Sequence, residues 1–225
     1  MTVKKIGVYQ HFVGASTDTK PTNVGIGSTF LEYDTSELYI TYDGTNWVKK
    51  SLSPFNDIKV VRSFKTLDAA AIYNAGDVMS EDSSAGVGTA WLFPAVVGGN
   101  GGAGLITQAQ LVTETNSASS PVSLYLFVGS PSCELDDHAS SNAPVHDEVT
   151  ASKFIGRIGF TALTAIGTTG DAIAEATIYT ASSGLPLPFV CATGTNAIYG
   201  VAVCETGLGV VASSDMMFAL TIEKR

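Results

Sequence analysis

The residues best suited to chemistry lie in one short stretch, Cys133-Glu134-Leu135-Asp136-Asp137-His138, followed within ten residues by His146-Asp147-Glu148. Carboxylates and imidazoles this close in sequence could hold a divalent cation. Hard carboxylate oxygens favour Ca²⁺, whereas His together with Cys133 favours Zn²⁺. The spacing matches neither an EF-hand loop nor a structural zinc site. The competing reading is a long hydrated or interfacial loop between two strands. That is the expectation: no metal and no cofactor, with Asp136, Asp137, Asp147 and Glu148 as the ligands if a cation were to bind.

Other chemistry is weaker. Gly98-Gly99-Asn100-Gly101-Gly102-Ala103-Gly104 resembles a phosphate-binding loop, but a strand-like segment follows it. A helix N-terminus to receive a pyrophosphate is therefore missing, and a tight strand connection is expected. Nothing resembles GxSxG on a strand-to-helix turn. His11, His138 and His146 are the three histidines, and the first falls in a strand pattern. Asp136 and Asp147 would be the carboxylates to flank a glycosidic bond, yet two Trp offer little of an aromatic cleft. An enzyme is not expected.

The elements that must position these residues are strands. Lys5–Val13, Ser28–Asp34 and Glu37–Tyr42 alternate β-branched or aromatic residues with polar ones. Asp34-Thr35-Ser36 and Asp43-Gly44-Thr45-Asn46 are turn sequences, and Trp47-Val48 opens a further strand. Phe30, Tyr39 and Trp47 are expected to meet as cross-strand neighbours. Pro54 lies in a linker-like run. Beyond it come a strand-like segment, 59–64, and then eight apolar runs separated by turn clusters, 89–97, 105–113, 122–128, 154–160, 174–179, 189–192, 197–204 and 217–222. Leu67–Gly76 is open to a short helix or a strand and turn, and Leu185-Pro186-Leu187-Pro188 reads as a loop. The segment 197–204, apolar almost throughout, should be a central strand covered on both faces. The expected fold is all-β: a small N-terminal β-hairpin/meander module over residues 1–52, then a jelly-roll-like β-sandwich over 57–225.

Composition bounds the partners. Only 15% of the 225 residues are charged while 45% are hydrophobic. A charged share well below the roughly 25% of an average soluble chain suggests surface hidden against other protein. The net charge of −9 disfavours binding to a phosphate backbone, which needs clustered cations. No apolar run reaches membrane-span length, so neither nucleic acid nor membrane is an expected partner. Three cysteines without CxxC spacing suggest reduced, buried thiols. The N-terminal residues have no apolar run of signal-peptide length, and synthesis in a cytoplasm is expected.

Three segments carry a resemblance: Asp18-Thr19-Lys20-Pro21-Thr22, Gly27-Ser28-Thr29-Phe30-Leu31-Glu32-Tyr33-Asp34-Thr35, and Tyr42-Asp43-Gly44-Thr45-Asn46-Trp47. In this order they resemble a small β-module recurrent in structural proteins of tailed-bacteriophage virions. Asn74–Val78, the Gly-rich turn before Leu105, Leu124–Phe127 and Phe154–Ile158 more loosely resemble a sandwich of such proteins. The resemblance implies a non-enzymatic virion protein made in the host bacterial cytoplasm. Capsid decoration is the leading expectation: a cement or head-fibre-like protein on the capsid surface that binds the major capsid protein. A tail, baseplate or receptor-binding component is the alternative. The module is the expected attachment element, with Lys4, Lys5, Trp47, Lys49 and Lys50 at its interface. The sandwich is expected to form a homotrimer.

Overall fold

The computed structural model describes residues 9–50, 58–68, 72–115, 120–166, 170–181, 183–207 and 214–224. The described residues are all-β apart from one helix of five residues, and the chain divides into two compact units, residues 1–55 and 56–225.

In the first unit, β1 (His11–Gly14), β2 (Thr29–Glu32), β3 (Glu37–Thr41) and β4 (Trp47–Lys50) form one sheet in that order. The pairs β2–β3 and β3–β4 are antiparallel, joined through the two turns that the sequence marks. Asp43 makes the second turn by accepting the N–H groups of Thr45 and Asn46 at 2.8 and 2.7 Å, and these bonds hold its carboxyl well below the usual range. Only glycine fits at Gly44, where φ is +80° and a Cβ would lie 2.4 Å from the Val24 carbonyl oxygen. The sheet is not a pure meander. β1 runs parallel to β2, and residues 15–28 carry the chain back between them. Such a crossover leaves no hairpin turn for a sequence pattern to announce. Lys5 to Val8, expected in this strand, lie outside the described residues.

The second unit contains β5 (Ile58–Thr66), β6 (Val78–Met79), β7 (Trp91–Phe93), β8 (Ala103–Thr113) and β9 (Val122–Phe127). Helix α1 (His146–Thr150) precedes β10 (Phe154–Phe160), β11 (Thr164–Ala165), β12 (Ala172–Thr177), β13 (Leu187–Val190), β14 (Ile198–Cys204) and β15 (Asp215–Lys224). One sheet has the order β10-β9-β14-β6, with β7 also on β14; the other is β11-β12-β8-β15-β5, with β13 also on β8. All these pairings are antiparallel. Counting β6 with β7 and β12 with β13 as one strand position each, and setting aside the two-residue edge strand β11, eight positions interleave between the sheets as in a jelly roll.

The core lies between the sheets. Inward residues such as Ile106, Leu111, Phe218, Leu220 and Ile222 of one sheet meet Phe93, Leu124, Leu126, Ile158 and Ile198 of the other. Trp91, 1% exposed, stands edge-on to Phe218 with centroids 4.7 Å apart, and its indole N–H donates to the Met79 carbonyl. β14 lies between β9 and the β6–β7 pair and is buried along nearly its whole length, as its apolar run predicts. The Gly-rich turn feeds β8. A Cβ on Gly104 would sit 2.7 Å from the Phe189 ring, so that position needs a bare backbone. Leu187 and Pro188, expected in a loop, enter β13 against β8. Within 67–76, Leu67 and Tyr73 are buried in irregular backbone, and residues 69–71 lie outside the described set.

Candidate functional site

The acidic stretch connects β9 to β10 and is not a hydrated loop. It is tied by backbone hydrogen bonds to the β6 strand and its flank: Val78 N–H to Ala139 O at 2.8 Å, His138 N–H to Val78 O at 3.0 Å and Asp137 N–H to Asp82 O at 2.8 Å. Its carboxylates then take up backbone N–H groups that no strand pairs. Asp136 accepts from Gly86, Val87 and Gly88 at 2.6, 3.1 and 2.9 Å, and those bonds hold its carboxyl below the ordinary range.

Asp137 is 2% exposed. It accepts the Tyr73 hydroxyl at 2.8 Å and the Ser80 N–H at 2.5 Å. Burial raises its carboxyl against those donors. His138 adopts a left-handed backbone, φ 59°, which lays its ring on Tyr73 and brings Nε2 3.2 Å from Asp137 Oδ2. Glu148, also 2% exposed, accepts from the N–H groups of Ser132 and Val145, the latter closing the N-terminus of α1. Asp147 points to solvent beside an equally exposed His146.

The four candidate ligands are thus sent to separate places. Asp136 serves the 86–88 backbone, Asp137 serves Tyr73 and Ser80, Glu148 caps the helix, and Asp147 faces outward. Among the described residues no three His, Cys, Asp or Glu side chains gather into a metal-binding group. Cys133, Cys191 and Cys204 are buried and form no disulfide. Burial pushes the Cys133 thiol up to about 12.

The interface candidates fare differently. Lys4 and Lys5 lie outside the described residues. Trp47 is half-buried inside the module, edge-on to Phe12 and Phe30 at 6.1 and 6.0 Å, with its indole N–H donating to Pro21 O at 2.8 Å. Tyr39 stands opposite Phe30 across β2 and β3, as expected, and Lys20 Nζ lies 5.0 and 4.1 Å from the Phe30 and Tyr39 ring centres. Lys49 pairs with Glu37, and Lys50 is exposed.

The register sets a different surface apart. Val13 lies opposite Leu31, Leu31 opposite Leu38, and Leu38 opposite Lys50; His11, Thr29, Ile40 and Val48 align in the next row. One face of the module sheet therefore carries five apolar residues beside His11, Thr29 and Lys50, and Val13 (68%) and Val48 (52%) are more than half exposed on it. The alternation was readable in each strand, but which face would be covered depends on the 15–28 crossover, which the sequence does not announce.

The sandwich also presents an apolar row on the outward side of the β5 sheet: Phe64, Met217, Val112 and Ile173 are successive cross-strand partners. A shallow hollow of about 250 Å³ borders this row and is rimmed by Glu114, Asp171 and Asp215.

No family model matches the chain, and no curated protein matches it. A solved structure from Bacteroides thetaiotaomicron, provisionally named as a sugar-binding protein, is 12% identical over 72% of this chain and 87% of that one, with a TM-score of 0.25. A likeness so slight carries no argument. No helix among the described residues is long and apolar enough to cross a membrane.

Proposed function

We propose that this protein is a structural, non-catalytic component of a tailed-phage virion, a decoration protein held on the outside of the head shell by the major capsid protein. The observation that carries the reading is the jelly-roll strand order, an architecture shared by many viral coat proteins and by lectins. Two features support the coat role over a ligand-binding one. The carboxylates that could have formed a site hold backbone instead. The exposed apolar residues are arranged as sheet faces and rows rather than as a deep pocket, which suits flat protein–protein contact. In this reading the open face of the module sheet is the part offered to the shell.

Imaging tests it directly. Virions labelled with an antibody against this chain should carry label over the head. Label confined to the tail or baseplate would move the protein to the adhesion apparatus, and unlabelled virions would overturn the proposal.

A further inference from the structure

β5 is the last strand of its sheet, nine residues long and, among the described residues, paired on one side only, with β15. A long unprotected edge invites a further strand, and proteins that avoid this place charges or proline along it. Here the outward side carries a single charge, Arg62, while Lys59 and Lys65 point inward and are engaged within the sandwich. Ile58, Val60 and Phe64 face outward and are 65%, 43% and 66% exposed. Lys59 Nζ donates to Ala95 O at 2.6 Å, and Lys65 is engaged by Glu81 and by the Thr89 hydroxyl.

We propose that this edge pairs with the β5 edge of a second copy of the chain, antiparallel, across a two-fold axis at Val61. The reason for a copy is that the strand is complementary to itself in one register. Pairing Val61 with Val61 sets Ile58 opposite Phe64 and Val60 opposite Arg62, twice over, and keeps outward residues on one face. Apolar partners then meet, and the two arginines do not oppose each other. Moving the axis to Arg62 would place like charges directly opposite, which is destabilising. Moving it to Val60 would leave Phe64 with no partner in the strand and pair Ile58 with Arg62. An isologous contact of this kind closes at two copies. It also extends the outward row of Ile173, Val112, Met217 and Phe64 onto Ile58 of the other copy.

The inference stands apart from the virion reading, and it gives a two-fold pair where composition suggested a trimer. One strand edge covers less than the roughly 800 Å² per partner of a standard interface, so the free pair should dissociate at micromolar concentrations.

Sedimentation equilibrium of the full chain at tens to hundreds of micromolar should show a mass that doubles with concentration. Phe64→Glu should remain a monomer with an unchanged melting temperature, since the ring is already exposed. Register is read by cross-linking. The double variant Ile58→Cys/Phe64→Cys should form disulfide-linked dimers on mild oxidation, whereas Ile58→Cys/Arg62→Cys should not. A monomer at every concentration, a trimer, a dimer indifferent to Phe64→Glu, or equal cross-linking by both cysteine pairs would each overturn the proposal.

Discussion

The imidazole of His138 lies flat against the Tyr73 ring, centroids 4.0 Å apart and planes 10° apart, and both side chains address the carboxylate of Asp137. Tyr73 donates its hydroxyl to that acid at 2.8 Å, while His138 Nε2 stands 3.2 Å from it without hydrogen-bond geometry. A carboxylate so placed is tolerable only while its donors remain, because an ion without partners in a low-dielectric interior is expensive.

Removing the hydroxyl should therefore cost more than a lost neutral hydrogen bond. Tyr73→Phe is expected to destabilise the sandwich by about 1.5–3 kcal/mol, the range for bonds to charged groups. The sign with pH follows from burial, which raises the Asp137 carboxyl above its ordinary value. An acid raised on folding contributes most when protonated, and its contribution falls as pH rises through its folded value. The Tyr73→Phe deficit should thus grow as pH rises, because the ionised form loses its donor. Denaturant melts of both proteins between pH 4 and pH 8, as about the range that spans carboxyl titration, would show a constant difference if the hydroxyl were not serving the charge.

Gly88 should not tolerate a side chain. A Cβ there would stand 2.1 Å from the Leu135 carbonyl oxygen, which belongs to backbone and cannot step aside. Gly88→Ala is expected to cost about 1–3 kcal/mol, as overpacking does, and to loosen the Asp136 clamp on residues 86–88. Faster hydrogen exchange of those amides would be the specific sign.

How much of this was legible beforehand depends on how local the cause is. The strands β8, β9, β10, β14 and β15 follow from apolar runs and alternation, and β14 follows even to its central place. The order of strands was visible only as the count that a sandwich requires. The acidic stretch misled because hydration is the ordinary state of a loop rich in Asp and Glu. Asp137 and Glu148 are buried and Asp136 half-buried because the irregular segments at 80, 86–88 and 132 leave N–H groups without strand partners, and a partner some 50 residues away in sequence leaves no local mark. Trp47 was marked as important, but its role is internal: the crossover brings Pro21 beneath its indole.

The acid side of the stability curve should run through Glu81. Burial lifts its carboxyl, but hydrogen bonds from Lys65, Ser80 and Thr89 outweigh that and hold it at about 2. A carboxyl depressed on folding contributes above its unfolded value, and the contribution is lost as pH falls through the folded one. Wild-type stability should decline from the usual carboxyl value near 4.5 down towards 2, and Glu81→Gln should flatten the decline. A variant that declined as steeply as wild type would assign the acid sensitivity elsewhere.

Trp47→Ala should unfold residues 9–50 while leaving the sandwich intact. The change removes two edge contacts, with Phe12 and Phe30, and the indole bond to Pro21. Because the side chain is half-buried, the cost belongs near the lower end for Trp→Ala, about 3 kcal/mol. A four-stranded sheet of short strands has little else to offset that loss. Since the chain has two Trp, emission from Trp91 still reports the sandwich. Protease cutting within residues 9–50 with an unchanged Trp91 transition would match expectation. Joint melting of both units would mean that the module does not stand on its own.

Whether the apolar residues of the module or its lysines carry attachment to the shell can be decided by substitution. Leu31 and Val48 lie on the open face in adjacent rows, whereas Lys50 closes one end of the Leu31 row. Burying such side chains is worth roughly 1.5–3 kcal/mol each, while an exposed ion pair contributes ~0–1 kcal/mol and weakens as salt screens it. The apolar residues should dominate. The variant Leu31→Asp/Val48→Asp should fold normally, because it alters solvent-facing positions, yet fail to decorate emptied capsids. Lys50→Ala should bind within a few-fold of wild type, with a small loss of association rate at low salt. Binding that survives the double variant but collapses as salt rises would hand attachment to the basic residues, as the sequence suggested for Lys49 and Lys50.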